Sequence, residues 1–266
     1  MMNVFFRELK AHRKGILFWS IGILLMVWTS MIKYSTLSST GQSITDLMAQ
    51  FPRSIQTIFG LTGFDLNTIS GYYGVLFMYL ALMGTVHAVL LGSGIISKEE
   101  RDRTSEFLFV KPISRAKVIT AKLLAGIVNI VIFNLVTMGS SLYFVGYFNK
   151  GNSITGDVML LMYALLLLQL LFFFIGTAIA AISGRAKAAT SSATSVLLFT
   201  FILTFLINLN ANLDNLKYLT PFKYFEAKTI LASGHLDLFY VLLSIIIMVV
   251  ATFITYKAYA AKDLSD

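Results

Sequence analysis

The sequence predicts an all-α integral membrane protein with six transmembrane helices and both termini in the cytoplasm. Three observations carry this. Of 266 residues, 57% are hydrophobic and only 13% charged, against about 45–50% and about 25% in soluble domains. The apolar residues gather in six runs, each near the roughly 20 residues that cross a bilayer. The basic residues concentrate in alternate connections, the bias that sets orientation. A mean hydropathy of +0.78 excludes an ordinary soluble enzyme and a disordered chain.

The chain reads as one six-span domain, 1–266. Residues 1–15 place Phe5, Phe6 and Leu9 against Arg7, Lys10, Arg13 and Lys14, the pattern of an interfacial helix with snorkelling cations. The first span, 16–32, holds nine strongly apolar residues and no central charge. At about −0.5 kcal/mol each they favour insertion by roughly 4–5 kcal/mol. It is longer than a secretory h-region and reads as a retained span. In the loop that follows, Ile44, Leu47, Met48, Phe51, Ile55, Ile58 and Phe59 recur at helical spacing, interrupted by Pro52. That predicts a bent helix on the outer surface.

The remaining spans are expected at 72–96, 121–148, 157–182, 190–208 and 239–259. The fourth ends in Gly176-x-x-x-Ala180-x-x-x-Gly184, and the fifth begins with small residues from Ala188 to Ala193. Such spacing lets backbones approach, so a tight hairpin between these two spans is predicted. Segment 209–238 is the last outer loop.

Fifteen of the 21 basic residues fall before the first span, between the second and third, between the fourth and fifth, or at the end of the last. The +8 net charge is therefore topological, and nucleic acid is dropped as a partner. The bilayer is the expected surrounding.

Several chemistries are missing. The chain has no Cys and three dispersed His residues, so neither thiolate chemistry nor a metal site is expected. Span interiors carry no Asp, Glu, Lys or Arg, the groups that ion-coupled transporters use. No Gly-x-x-x-x-Gly-Lys-Ser/Thr loop occurs, so this chain carries no such ATP site of its own. Ser93 and Glu99-Glu100 raise intramembrane proteolysis as a rival, but His87 lies six residues before Ser93, on a different helix face.

Segment 97–120 is the most informative. Lys98/Asp102 and Glu99/Arg103 are four apart, as helix pairs are. Pro112 ends that helix at or before Lys111, and Ser114 is a candidate N-cap of the next. Phe107, Leu108 and Phe109 give the segment an apolar tip, suited to docking in a groove on a cytoplasmic partner.

These residues resemble a permease subunit of the type-2 ABC exporters. The family pattern is an acidic residue after the second span, Gly-Thr-x-Glu, a leucine-rich turn, Pro-x-Ser-Arg, and a lysine entering the third span. Here it reads Glu99/Glu100, Arg103-Thr104-Ser105-Glu106, Phe107-Leu108, Pro112-Ile113-Ser114-Arg115 and Lys122, with Arg103 in place of the glycine. A second match is Leu219-Thr220-Pro221-Phe222-Lys223-Tyr224-Phe225 followed by Ile230-Leu231-Ala232-Ser233-Gly234.

The resemblance implies a dimer, from a second permease copy or a homologous permease. Each subunit would dock a separate ABC ATPase that holds ATP and Mg, with no cofactor on this chain. It assigns coupling to Glu99, Glu100, Thr104, Glu106, Pro112, Ser114 and Arg115; Arg103 and the apolar tip of Phe107, Leu108 and Phe109 complete the candidate coupling set. It places the pathway between the second and fifth spans, where Tyr79, Met83 and His87, and Thr200, Thr204 and Asn208, share faces. Interhelical glue is the alternative reading of those polar residues. In the family, segment 209–238 forms short re-entrant helices. The cargo expected is hydrophobic or amphipathic. A non-transport membrane scaffold or immunity protein is the alternative function.

Overall fold

The structure is a computed structural model that describes residues 1–39, 43–101, 114–149, 154–183 and 185–261, with the side chains of 99–101 outside the description. Six long helices dominate it: α1 (Met2–Ser39), α4 (Ile69–Arg101), α5 (Arg115–Phe148), α6 (Thr155–Ile182), α7 (Ala186–Leu209) and α10 (Leu238–Ala261). All six are long and apolar enough to cross a membrane. Short helices α2 (Ile44–Ala49) and α3 (Arg53–Ile58) join α1 to α4. A 3-10 helix (Ala211–Leu219), α8 (Pro221–Tyr224) and α9 (Ala227–Ser233) join α7 to α10.

Every expected span is a helix, and most run several residues further than hydropathy suggests. The largest difference is α1. Its 38 residues extend about 57 Å at 1.5 Å per residue, well beyond a hydrocarbon core of about 30 Å. It is one helix through residue 15, where the sequence reading divided an interfacial helix from a span. Gly15, the only weak helix former near that boundary, meets nothing within 4 Å at its would-be Cβ. With no neighbour to turn the chain, continuing the backbone hydrogen bonds costs less than breaking them.

The bundle is built on α4 and α6, which pack along most of their length; α1 lies on α5, α7 on α4 and α10 on α6. Glycines set the central crossing. A Cβ on Gly92 would sit 2.4 Å from the Phe173 carbonyl oxygen, and one on Gly176 3.0 Å from that of Val89. Gly176 therefore serves α4, whereas the sequence reading gave its stripe to a hairpin with α7. The complementary stripe is Gly84, Ala88 and Gly92 on α4, again at four-residue spacing. The α6–α7 connection is nonetheless short, with Ser183 and Arg185 flanking it.

Contacts fix the relative directions. Lys98, near the end of α4, meets Glu8, near the start of α1. Arg115 Nη1, at the start of α5, donates to the carbonyl of Ala260, at the end of α10 (3.0 Å). At the opposite end Ser70 on α4 donates to Asp157 on α6 (2.5 Å). The start of α1 and the end of α10 thus lie at one end of the bundle.

The connection between α1 and α4 splits at Pro52 as expected. Ser43 caps α2, accepting from the Asp46 N–H (3.1 Å), and Pro52 stands at the N-cap of α3. Asn67 Oδ1 accepts from the Ile44 N–H (2.8 Å). Tyr34 donates to the Asn67 carbonyl (3.1 Å), clipping α1 to the same corner.

Candidate coupling and translocation site

The two ends of the bundle carry different polar constructions. At the end holding the start of α1, Glu8 is fully buried. It accepts from Lys98 Nζ (3.0 Å) and Arg7 Nη2 (2.8 Å), and His12 Nε2 lies 3.9 Å away. Lys122 on α5 is also fully buried, and its Nζ donates to the Ile95 carbonyl on α4 (2.6 Å). A buried charge is tolerated only when paired and hydrogen-bonded. One carboxylate and several cations therefore bind three helices together where α4 ends and α5 begins.

Ser114 caps α5 as predicted: its Oγ accepts from the Lys117 N–H (3.4 Å) with extended backbone at φ −65°, ψ 144°. Thr120 and Tyr256 share a hydroxyl contact (2.7 Å) that ties α5 again to α10. Of the coupling residues expected from sequence, Ser114 and Arg115 are thus anchored to the bundle. Glu99 and Glu100 lie in the last turn of α4, their side chains outside the description. Arg103, Thr104, Glu106, Phe107, Leu108, Phe109 and Pro112 lie outside the described residues. Sequence reasoning passed over Glu8. The available signal was that it is the only acidic residue before Asp46, set among Arg7, Lys10 and His12.

In the middle of the bundle polar groups serve packing. His87 is wedged between Trp19 (centroids 5.5 Å) and Phe133 (4.6 Å). Met83 covers Gly22 of α1. Asn134 Nδ2 donates to Gln169 Oε1 and to the Met162 carbonyl, both 3.2 Å. Thr177 and Thr255 meet at 3.1 Å. The Ser93 hydroxyl donates back to the Val89 carbonyl (2.8 Å), so it is engaged with its own helix, with no base beside it among the described residues.

The opposite end carries the remaining pathway candidates. Thr204 and Thr220 share a contact of 2.8 Å, and Thr220 Oγ1 donates to the Thr200 carbonyl (2.8 Å). All three threonines are buried. Asn208 Nδ2 donates to Glu226 Oε1 (3.2 Å), and Lys223 Nζ donates to Asn208 Oδ1 (2.8 Å) and Glu226 Oε2 (2.6 Å). These bonds pin segment 220–226 onto α7. Phe222, Tyr224 and Phe225 of this segment, with Ala227 and Ile230 of α9, are buried. The Tyr224 hydroxyl donates to the Tyr218 carbonyl. Burial, with Tyr240 stacked beside it, pushes that hydroxyl's pKa up to about 12.

The six pathway candidates do not form one surface. Tyr79, Met83 and His87 turn toward α1 and the α2–α3 corner; the Tyr79 hydroxyl donates to the Phe59 carbonyl (3.3 Å). Thr200, Thr204 and Asn208 turn toward segment 220–226. Thr204 and Asn208 also border a cavity between α4, α7 and α9, with about 660 Å³ of space between atoms, part of it open to the surface. Six helices are long and apolar enough to cross a membrane, and among the described residues no group of side chains could hold a metal ion.

The model of the ABC-2 family transporter proteins matches residues 2–264. The chain belongs to that family. It is a multi-pass membrane protein of the ABC-2 transporter family, as the motifs in 99–122 and 219–234 implied. No curated protein matches the chain.

Proposed function

We propose that this chain is the transmembrane subunit of an ATP-driven exporter, resident in the cell membrane with both termini cytoplasmic. A separate ABC ATPase, holding ATP and Mg, docks on segment 97–120, and a second permease completes the pathway. The positive-inside bias makes the Glu8 end cytoplasmic. The cargo is hydrophobic or amphipathic, since the span interiors offer it no charge.

One observation carries this reading best. Segment 102–113 is flanked by two anchored helix ends. The α4 flank is held to α1 and α5 through Lys98, Glu8 and Lys122, and the α5 flank is held to α10 through Arg115. Force applied to the segment by a closing ATPase would reach four helices at once. Glu99, Glu100, Arg103, Thr104, Glu106 and Pro112 shape the docking segment, and Phe107, Leu108 and Phe109 fill the partner's groove. Ser114 and Arg115 brace it. Exposed apolar faces on α1, α7 and α10 meet lipid or the second permease.

The test is mild-detergent purification of the chain from its native membrane, with mass spectrometry of what accompanies it. A stoichiometric ATPase is expected, and changing Phe107, Leu108 and Phe109 to Asp should release it. If no ATPase accompanies the chain, the scaffold reading replaces the exporter.

A further inference from the structure

The cavity at the end opposite Glu8 has two storeys. Its lower storey is lined by apolar and aromatic side chains, among them Phe64, Phe77, Met78, Phe201 and Phe205. Its upper storey is polar and includes Arg53, Lys223, Glu226 and Lys228. The two are continuous, because Thr57, Thr62, Asn208, Glu226 and Lys228 border both. The upper storey holds about 640 Å³ and the lower about 80 Å³, so the roughly 300–1,000 Å³ of small-molecule sites is met by the two storeys together.

The walls are built features. Gly60 and Gly63 have φ of 69° and 85°, a conformation glycine adopts without strain, and they turn the α3–α4 loop down onto α4. There Phe64 lies on Gly74, whose would-be Cβ is 2.5 Å from the ring. At Gly63 a Cβ would meet Lys228 Nζ at 2.3 Å. The missing side chain is what lets the lysine lie across the loop at the cavity mouth.

The charges of the mouth do not cancel. Glu226 is already taken by Lys223 and Asn208. Among the described residues no ion pair or side-chain hydrogen bond engages the Lys228 ammonium or the Arg53 guanidinium. Two cations therefore stand over an aromatic-lined chamber with no carboxylate among the described residues left for them. Both cations are exposed to water; a cationic ligand would be repelled there, and an anionic one gains a pairing that a neutral one lacks.

We propose that this cavity binds an anionic amphiphile, its apolar tail among Phe64, Phe201 and Phe205 and its phosphate or carboxylate head against Lys228 and Arg53. The site lies within one subunit. As a statement about the exporter's cargo it rests on the function proposed above; as a binding site it is a property of this chain.

The test uses the full chain in phosphatidylcholine nanodiscs doped with a phosphatidylglycerol whose tail ends in a photoreactive diazirine. Label is expected on the peptides holding Phe64, Phe201 and Phe205. Lys228→Met keeps the apolar stem over Gly63 and should lower labelling about tenfold, while Lys228→Arg restores it. Lys217→Met, a cation outside the cavity, should leave it unchanged, with size-exclusion profiles confirming that all variants fold. Equal labelling by a phosphatidylcholine carrying the same tail, or unaltered labelling of Lys228→Met, overturns the proposal. Dodecyl phosphate added in solution should compete, which would show that a free amphiphile can enter as well as a resident lipid. Competition by inorganic phosphate at equal concentration would mean the mouth reads an anion alone, and also overturns it. ATPase copurification scored on the same samples keeps this result separate from the exporter reading: either can fail while the other stands.

Discussion

The two ends of this bundle solve the same problem in opposite ways. Both must satisfy polar groups at the edge of an apolar core. At the Glu8 end the solution is charge, with Glu8 and Lys122 fully buried and the cluster shared by α1, α4 and α5. At the opposite end it is hydroxyls, with Thr204, Thr220 and the Thr200 carbonyl in contact and the ion pair Lys223–Glu226 kept at the rim. Buried ions tolerate little displacement, because a separated carboxylate or ammonium in a low dielectric is costly. Hydroxyls can change partners with less loss. The charged end is therefore the stiffer one, and the hydroxyl end is the more adaptable, beside a cavity.

The largest effect should come from Glu8→Ala. It removes the buried carboxylate that pairs with Lys98 and should cost about 3–5 kcal/mol, read as a lowered thermal unfolding midpoint in detergent. Adding Lys98→Met should recover part of that loss, because an apolar stem replaces a charge that has lost its carboxylate. If the midpoint of Glu8→Ala stays at wild type, the charged end is not the stiff one and the contrast collapses.

A smaller effect should follow from Gly92→Ala. Its Cβ would press on the Phe173 carbonyl and force α4 and α6 apart, a cost of about 1–3 kcal/mol. Gly94→Ala, two residues on and with nothing within 4 Å, should be neutral or slightly stabilising in the same assay. Equal effects at the two glycines would mean that helix propensity, not the crossing, decides.

The smallest effect sharpens the opposite end. Thr220→Val keeps the shape but removes the hydroxyl that bridges Thr204 and the Thr200 carbonyl, for about 1 kcal/mol. Hydrogen exchange of segment 220–226 should rise while α1 and α5 remain unchanged. Exchange rising across the whole bundle would show that the two ends are one cooperative unit.

Much of the fold was legible in the residues because membrane insertion is a local matter. A run such as Ile16–Ile32 favours the bilayer whatever surrounds it, so span number needs no knowledge of packing. Pro52 and Ser114 were equally readable, since one lacks an N–H and the other supplies a cap. The Gly176 stripe was readable as close packing but not as packing against α4. Spacing marks a face, and a face does not name its partner. Thr200 and Thr204 were readable as polar groups in a span, while their partner Thr220 lies across a turn that sequence spacing does not close.

By itself, then, the sequence determined an all-helical membrane protein with six spans, the charge asymmetry across them, and the motifs that place it with the ABC-2 transporters. The tertiary structure decided which charges became buried, which glycines touch, and where a cavity remains. The reason is one of range. Hydropathy, helix termination and charge asymmetry are properties of short stretches of chain. Burial of Glu8, the crossing at Gly92 and the open mouth at Lys228 each depend on residues tens of positions away arriving at the same place.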